Sequence, residues 1–268
     1  MKPCCLTIAG SDSGGNAGVQ ADLRAFHAYG IHGCTVFAAL TAQNPFGVTA
    51  IHPVSADFVA AQLDAVLGVY SIAALKTGML GDPEVIEVIA ERLGKHPEIA
   101  KVIDPVMIAT SGARLISEDA MHAIEKSLMP LATVITPNLP EAEALCGGAA
   151  LTVGARGATA EHAAELALRL SDRYGAAVLV KGGHGENAAA VDVLAQDGRT
   201  EEFSAAWIEK PVSTHGTGCT LAAALAAELA LGHGVRDAVA GAKRHVHAAI
   251  AASYLVGPGC GVLGFPNA

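Results

Sequence analysis

Positive charge is scarce in this sequence: 17 Lys and Arg stand against 26 Asp and Glu, a net charge of −9. So acidic a chain has no general attraction for nucleic acid or an anionic membrane surface, and neither is expected as a partner. A phosphate-bearing ligand would have to be held by local amides, a few lysines or a metal ion. Long apolar runs are missing too. The opening segment meets Gly10 too soon for a signal peptide, and later apolar stretches reach Glu228, His233 or Asp237 before the ~20 residues of a membrane span. The expectation is a cytoplasmic protein. The six cysteines, at 4, 5, 34, 146, 219 and 260, show no CxxC spacing, which argues against a zinc site and a disulfide framework. Most read as small buried hydrophobes, with Cys219 the candidate exception.

Familiar nucleotide motifs are absent as well. The first loop, Gly10-Ser11-Asp12-Ser13-Gly14-Gly15-Asn16-Ala17-Gly18, lacks GxGxxG spacing, and no acidic residue ends a second strand where a ribose would need one. There is no GxxxxGK[ST] and no GxSxG, which removes the P-loop NTPases and the hydrolase elbow.

What the chain does have is alternation. Strand-like runs at 6–9, 34–40, 72–76, 102–104, 133–136 and 177–181 alternate with helical patterns at 55–67, 83–93, 117–128 and 159–174. A hairpin is expected around Gln196-Asp197-Gly198, and two closing helices over 217–231 and 235–254. No linker or repeat interrupts the series, so one α/β domain over 1–268 is expected, with its ligand at the carboxyl ends of a mostly parallel sheet.

The segment Thr214-His215-Gly216-Thr217-Gly218-Cys219-Thr220 runs straight into an Ala/Leu-rich helix. Glycines there let the backbone approach a ligand, and the unpaired amides of a helix start attract anions. A thiol in that position is expected to have a lowered pKa, so the segment reads as a phosphoryl-transfer site; a plain turn with a packing cysteine fits the same residues. Asn138 and Glu141 form Asn-x-x-Glu at a helix head, which an ordinary N-cap with a first-turn acid also explains. Asp104 precedes a proline as a metal or phosphate ligand would, or as a turn former would.

Taken in order, Ala9-Gly10-Ser11-Asp12, Gly18-Val19-Gln20-Ala21-Asp22, Ala42-Gln43-Asn44, Lys76-Thr77-Gly78-Met79-Leu80, Asp104-Pro105-Val106-Met107, Thr136-Pro137-Asn138-Leu139-Pro140-Glu141-Ala142, Lys181-Gly182-Gly183-His184 and the 214–220 segment resemble the hydroxymethylpyrimidine/phosphomethylpyrimidine kinases of thiamine synthesis, in the ribokinase-like superfamily. The resemblance spans almost the whole chain. It implies a three-layer α/β/α sandwich, ATP with Mg²⁺ as phosphoryl donor, a small pyrimidine as acceptor and a homodimer. It implies that Gly216, Thr217, Gly218 and Cys219 act at the transferred phosphoryl group, with Cys219 where sugar kinases of the superfamily carry aspartate. Lys181, Thr214 and Asn138 would serve the nucleotide, and Glu141 with Asp104 would place Mg²⁺ through its water shell. Gly10, Asp22 and Gln43 would hydrogen-bond the pyrimidine and Met79 would pack on it. A glutamine amide can meet the donor and acceptor edge of an aminopyrimidine, although a loop glutamine paired with backbone is the plainer reading. Lys76 carries a weaker claim, His184 reads as a loop residue, and Asn16 departs from the smaller residue common in the family.

Three other readings remain at this stage. A pyridoxal or pyridoxine kinase would use a similar pocket. A Cys219-dependent covalent thiol enzyme would use His215 as its base. A non-catalytic nucleotide-binding regulator would bind ATP without consuming it.

Overall fold

Two faces of one nine-stranded sheet organise the protein, in a computed structural model that describes residues 2–107, 116–147, 159–182 and 189–266. In chain order the elements are β1 (Cys4–Asp12), α1 (Gly18–Ala28), β2 (His32–Asn44), β3 (Gly47–Pro53), α2 (Ala56–Leu67), β4 (Ile72–Thr77), α3 (Pro83–Gly94), β5 (Ala100–Ile103) and α4 (Glu118–Ala123). There follow β6 (Val134–Ile135), α5 (Leu139–Leu145), α6 (Ala160–Tyr174), β7 (Ala177–Val180), β8 (Ala189–Gln196), β9 (Arg199–Ala206), α7 (Thr217–Ala230), α8 (Val235–Ala251) and a small hairpin, β10 (Tyr254–Gly257) with β11 (Cys260–Val262). The strand order is β3-β2-β1-β4-β5-β6-β7-β8-β9, parallel from β2 to β7 and antiparallel at both edges.

Local chemistry sets most boundaries. Ser55 and Thr159 accept hydrogen bonds from Phe58 N and His162 N at the heads of α2 and α6, and Gly175 ends α6 in the left-handed region at φ 65°. Asp197 and Gly198, both at positive φ, turn β8 into β9 as the sequence suggested. Other boundaries differ. β2 runs on to Asn44 and folds back as β3, because pairing with that short outer strand satisfies its backbone. The helix expected over 117–128 is α4 followed by a π turn, Ile124–Leu128. The helix expected over 235–254 stops at Ala251, and Tyr254 opens β10.

Alternation along the strands builds two cores. Leu6, Ile8, Val36 and Ile103 face α2, α3, α4 and α6, whereas Cys5, Ala74, Val102 and Leu179 face α1, α7 and α8. The result is the expected α/β/α sandwich. From β1 the chain moves outward to β2 and β3 and returns to β4 on the other side of β1. That reversal opens a crevice at the carboxyl ends of β1 and β4, where open α/β sheets bind ligands.

Candidate active site

Around this crevice successive strands end in charged or polar groups: Asp12 on β1, Lys76 on β4, Asp104 after β5, Asn138 and Glu141 after β6, and Lys181 after β7. Asp12 is 1% exposed and shapes the first loop, its carboxylate accepting from the amides of Gly14, Asn16 and Ala17, each at 2.8 Å. Burial works to raise its pKa, but His215 and those amides outweigh it and hold the group below its ordinary value. Among the described residues, buried His215 Nε2 has no hydrogen-bond partner and lies 3.9 Å from Asp12 Oδ2. An unsatisfied polar atom of this kind beside an anion-binding loop is one that a bound phosphate could satisfy.

Lys76 and Asp22 form an ion pair of 2.9 Å in which both side chains are 0% exposed. Thr7, paired with Lys76 in the β1–β4 register, donates to Asp22 at 2.6 Å. Both Asp22 oxygens, those of the residue anticipated as a pyrimidine ligand, accept from Lys76, and Oδ2 also from Thr7. Burial disfavours the Lys76 ammonium, yet Asp22 more than compensates and the lysine's pKa is raised.

The thiol of Cys219 feels the Lys76 charge. The sequence suggested a lowered thiol pKa at this helix start. The structure reverses that: burial raises it, opposed first by Lys76, with Asp22 and Asp104 adding to the rise. The thiol is therefore the resting form, because burial penalises the thiolate first and the nearby acids offset part of the lysine field.

Gly216 caps α7 at φ 87°, and a Cβ there would collide with the carbonyl oxygen of Asn16. Only glycine lets the 214–220 loop seat against the first loop. No side chain caps α7, so the amides of its first turn at Thr217, Gly218 and Cys219 lie at an anion-attracting helix start. Lys181 Nζ lies 3.6 Å from where a Gly218 Cβ would sit, and it pairs with Asp104 at 2.8 Å. Thr136 also donates to Asp104, at 3.2 Å. Thr214 is exposed at the loop's outer end.

Asn138 and Glu141 make a reciprocal capping box on α5 at 2.8 and 2.9 Å, and Glu141 also accepts from Met107 N at 3.3 Å. Burial pushes Glu141 up to about 7, with Lys181 pulling the other way. On the other side of the crevice, a Cβ on Gly10 would fall 2.6 Å from Met79 Cε, so that glycine admits the methionine. Gln43 exchanges hydrogen bonds with Ser13 through its backbone, and its Oε1 accepts from Thr41 at 3.1 Å. His184 lies outside the described residues.

The family model for phosphomethylpyrimidine kinase matches residues 12–264. The chain belongs to this family. The chain is 46% identical to the hydroxymethylpyrimidine/phosphomethylpyrimidine kinase of Rhizobium meliloti, over 94% of this chain and 92% of that one. A phosphomethylpyrimidine kinase from Clostridium difficile superimposes with a TM-score of 0.78 at 36% identity, covering 93% of this chain and all of its own. An ADP complex of pyridoxal kinase from Bacillus subtilis superimposes with a TM-score of 0.88 at 35% identity, covering 99% and 98%. Among the residues gathered here, Asp12, Thr7 and the pairing of Lys76 with Asp22 went unassigned in the sequence. Asp12 had a signal, an acid two residues after Gly10 and just before a glycine pair. Lys76 was singled out by its motif, but its pairing had no signal, since nothing local ties it to Asp22, 54 positions away.

Proposed function

We propose that this enzyme transfers the γ-phosphoryl group of ATP to the hydroxymethyl oxygen of 4-amino-5-hydroxymethyl-2-methylpyrimidine, and then phosphorylates the monophosphate. The observation that carries this reading is the pinning of the 214–220 loop against the first loop through Gly216, which joins an anion cradle to the Gly10–Met79–Gln43 wall. Amides of Gly216, Thr217, Gly218 and Cys219 receive the moving phosphoryl group. Lys181, kept charged by Asp104 and Glu141 despite its burial, neutralises the nucleotide phosphates as a point charge, with Thr214 and Asn138 at the edge of that site. Met79 packs on the pyrimidine and Gln43 pairs with its polar edge. Asp22 acts at one remove, fixing Lys76 beneath Cys219.

A loose phosphoryl-transfer transition state needs an oriented acceptor hydroxyl more than an early deprotonation. A neutral Cys219 thiol can orient that hydroxyl but is not basic enough to take its proton, which passes late to an oxygen of the transferred phosphoryl group as charge reaches the cradle. Mg²⁺ fits the donor set at Asp104 and Glu141 through water: both Glu141 oxygens already accept backbone amides, and Asp104 is engaged by Lys181 and Thr136. When bound, the ion would neutralise phosphate charge. Exposed Leu40, Phe46 and Ile51 along the β2–β3 edge support a homodimer. Among the described residues no helix is long and apolar enough to cross a membrane, in keeping with a cytoplasmic enzyme.

Pure protein, ATP, Mg²⁺ and the pyrimidine alcohol should yield ADP and phosphorylated pyrimidine; absence of turnover with both the alcohol and its monophosphate rejects the reading. The pyridoxal kinase reading draws support from the superposition on that enzyme's ADP complex. The ratio of kcat/KM for the two acceptors decides between them.

A further inference from the structure

The opposite rim of the sheet takes no part in this chemistry, yet it gathers three metal-ligating side chains. There β1 and β2 begin side by side, in a parallel register that sets Cys4 against His32 and Leu6 against Cys34. His32 and Cys34, two apart on one strand, share a face with Cys4 on the next. The sulfurs of Cys4 and Cys34 are 3.5 Å apart, and with a His32 ring nitrogen all three ligand atoms lie within 4.8 Å of one another. The imidazole stacks on Tyr70, in the turn before β4, with centroids 5.8 Å apart and planes at 16°.

We propose that Cys4, His32 and Cys34 bind one zinc ion, with water as the fourth ligand. Two thiols and an imidazole are a donor set that selects a borderline-soft d¹⁰ cation over Mg²⁺ or Ca²⁺. Two sulfurs 3.5 Å apart, each about 2.3 Å from a common ion, subtend about 100°, close to tetrahedral. A disulfide requires about 2.05 Å and so a closing movement of both side chains. Two thiolates would balance the dication. A bound dication supplies the charge that deprotonates coordinating thiols. Both cysteines are buried while His32 is exposed, so ion and water enter from the His32 side. The ion would clamp β1 to β2 far from the phosphoryl-transfer site, since Cys4 and Asp12 stand eight positions apart along β1, about 26 Å of extended chain.

The test uses the full chain, reduced and stripped of metal, titrated with Co²⁺ as a spectroscopic stand-in and with Zn²⁺ against a chromophoric chelator, in buffer containing Mg²⁺. One equivalent should bind, with a thiolate-to-cobalt charge-transfer band. Zinc should raise Tm by mass action. Cys34→Ser and the surface substitution His32→Ala should each weaken zinc at least tenfold, whereas Cys219→Ser should leave zinc affinity unchanged. Absence of the band, its loss in Cys219→Ser, or unaltered affinity in both site variants overturns the assignment. So does a reduced protein that ignores zinc and merely forms a Cys4–Cys34 disulfide on oxidation.

Discussion

Two lysines at the ends of parallel strands face the same crevice, each paired with an aspartate, and they differ in their access to water. Lys76 and Asp22 are sealed at 0% exposure, with Thr7 completing the pair, whereas the Lys181 side chain keeps 15% exposure against the 2% of Asp104. A sealed pair cannot exchange its partner for a ligand without stranding a charge. A pair open on one side can share its ammonium with a phosphate. Lys76 therefore acts on Cys219 through its charge, and on the proposed function Lys181 is the lysine that meets the nucleotide. Burial, more than residue type, separates the two roles.

The sharpest way to break this comparison is Asp22→Ala. Removing the partner leaves Lys76 buried and charged, which should cost about 3–5 kcal/mol in chemical denaturation. Lys181→Ala should lose less stability, because Asp104 keeps Thr136 as a donor and the vacated lysine position is open to water, yet it should lower kcat/KM for ATP by ~10²–10³. Equal stability losses in Asp22→Ala and Lys181→Ala would erase the distinction. Gly216→Ala disturbs the seat on which both lysines converge, forcing a left-handed residue and a collision with Asn16; about 1–3 kcal/mol of stability should go, together with most turnover.

Cys219→Ser should keep kcat within about tenfold, roughly 1.4 kcal/mol, because the amides remain and the thiol rests neutral. Complete loss of turnover would instead favour covalent chemistry at the sulfur. A pH effect concerns Glu141, beside the open pair. Its folded pKa of about 7 lies above the ordinary 4.5, so the native state binds the extra proton. Its contribution to stability is full below 4.5 and is lost as pH rises toward 7, in protein free of metal and nucleotide. Glu141→Gln should flatten that part of the stability profile, measured by denaturant unfolding across the range.

Much of the site was legible before the fold. The 214–220 segment announces itself because glycines and an apolar helix are local signals, and the hairpin turn and the caps of α2 and α6 are written within a few residues. The failures share one cause. β3 and β10 are short and largely exposed, so they carry no alternating apolar pattern to distinguish them from loop. Asp22 looked available to a ligand because nothing near it in the chain shows that Thr7 and Lys76 close over it.

The sequence by itself determined the central series of parallel strands and helices, the glycine turn before α7 and the family, since all of these rest on periodicity, turn residues and motif order within short windows. Only the tertiary structure decided which lysine is sealed, that the Cys219 thiol is held neutral, and that Cys4, His32 and Cys34 meet. Desolvation and charge pairing depend on groups brought together across the sheet. The parallel register of β1 and β2 places residues about 30 positions apart side by side, a separation no local pattern records.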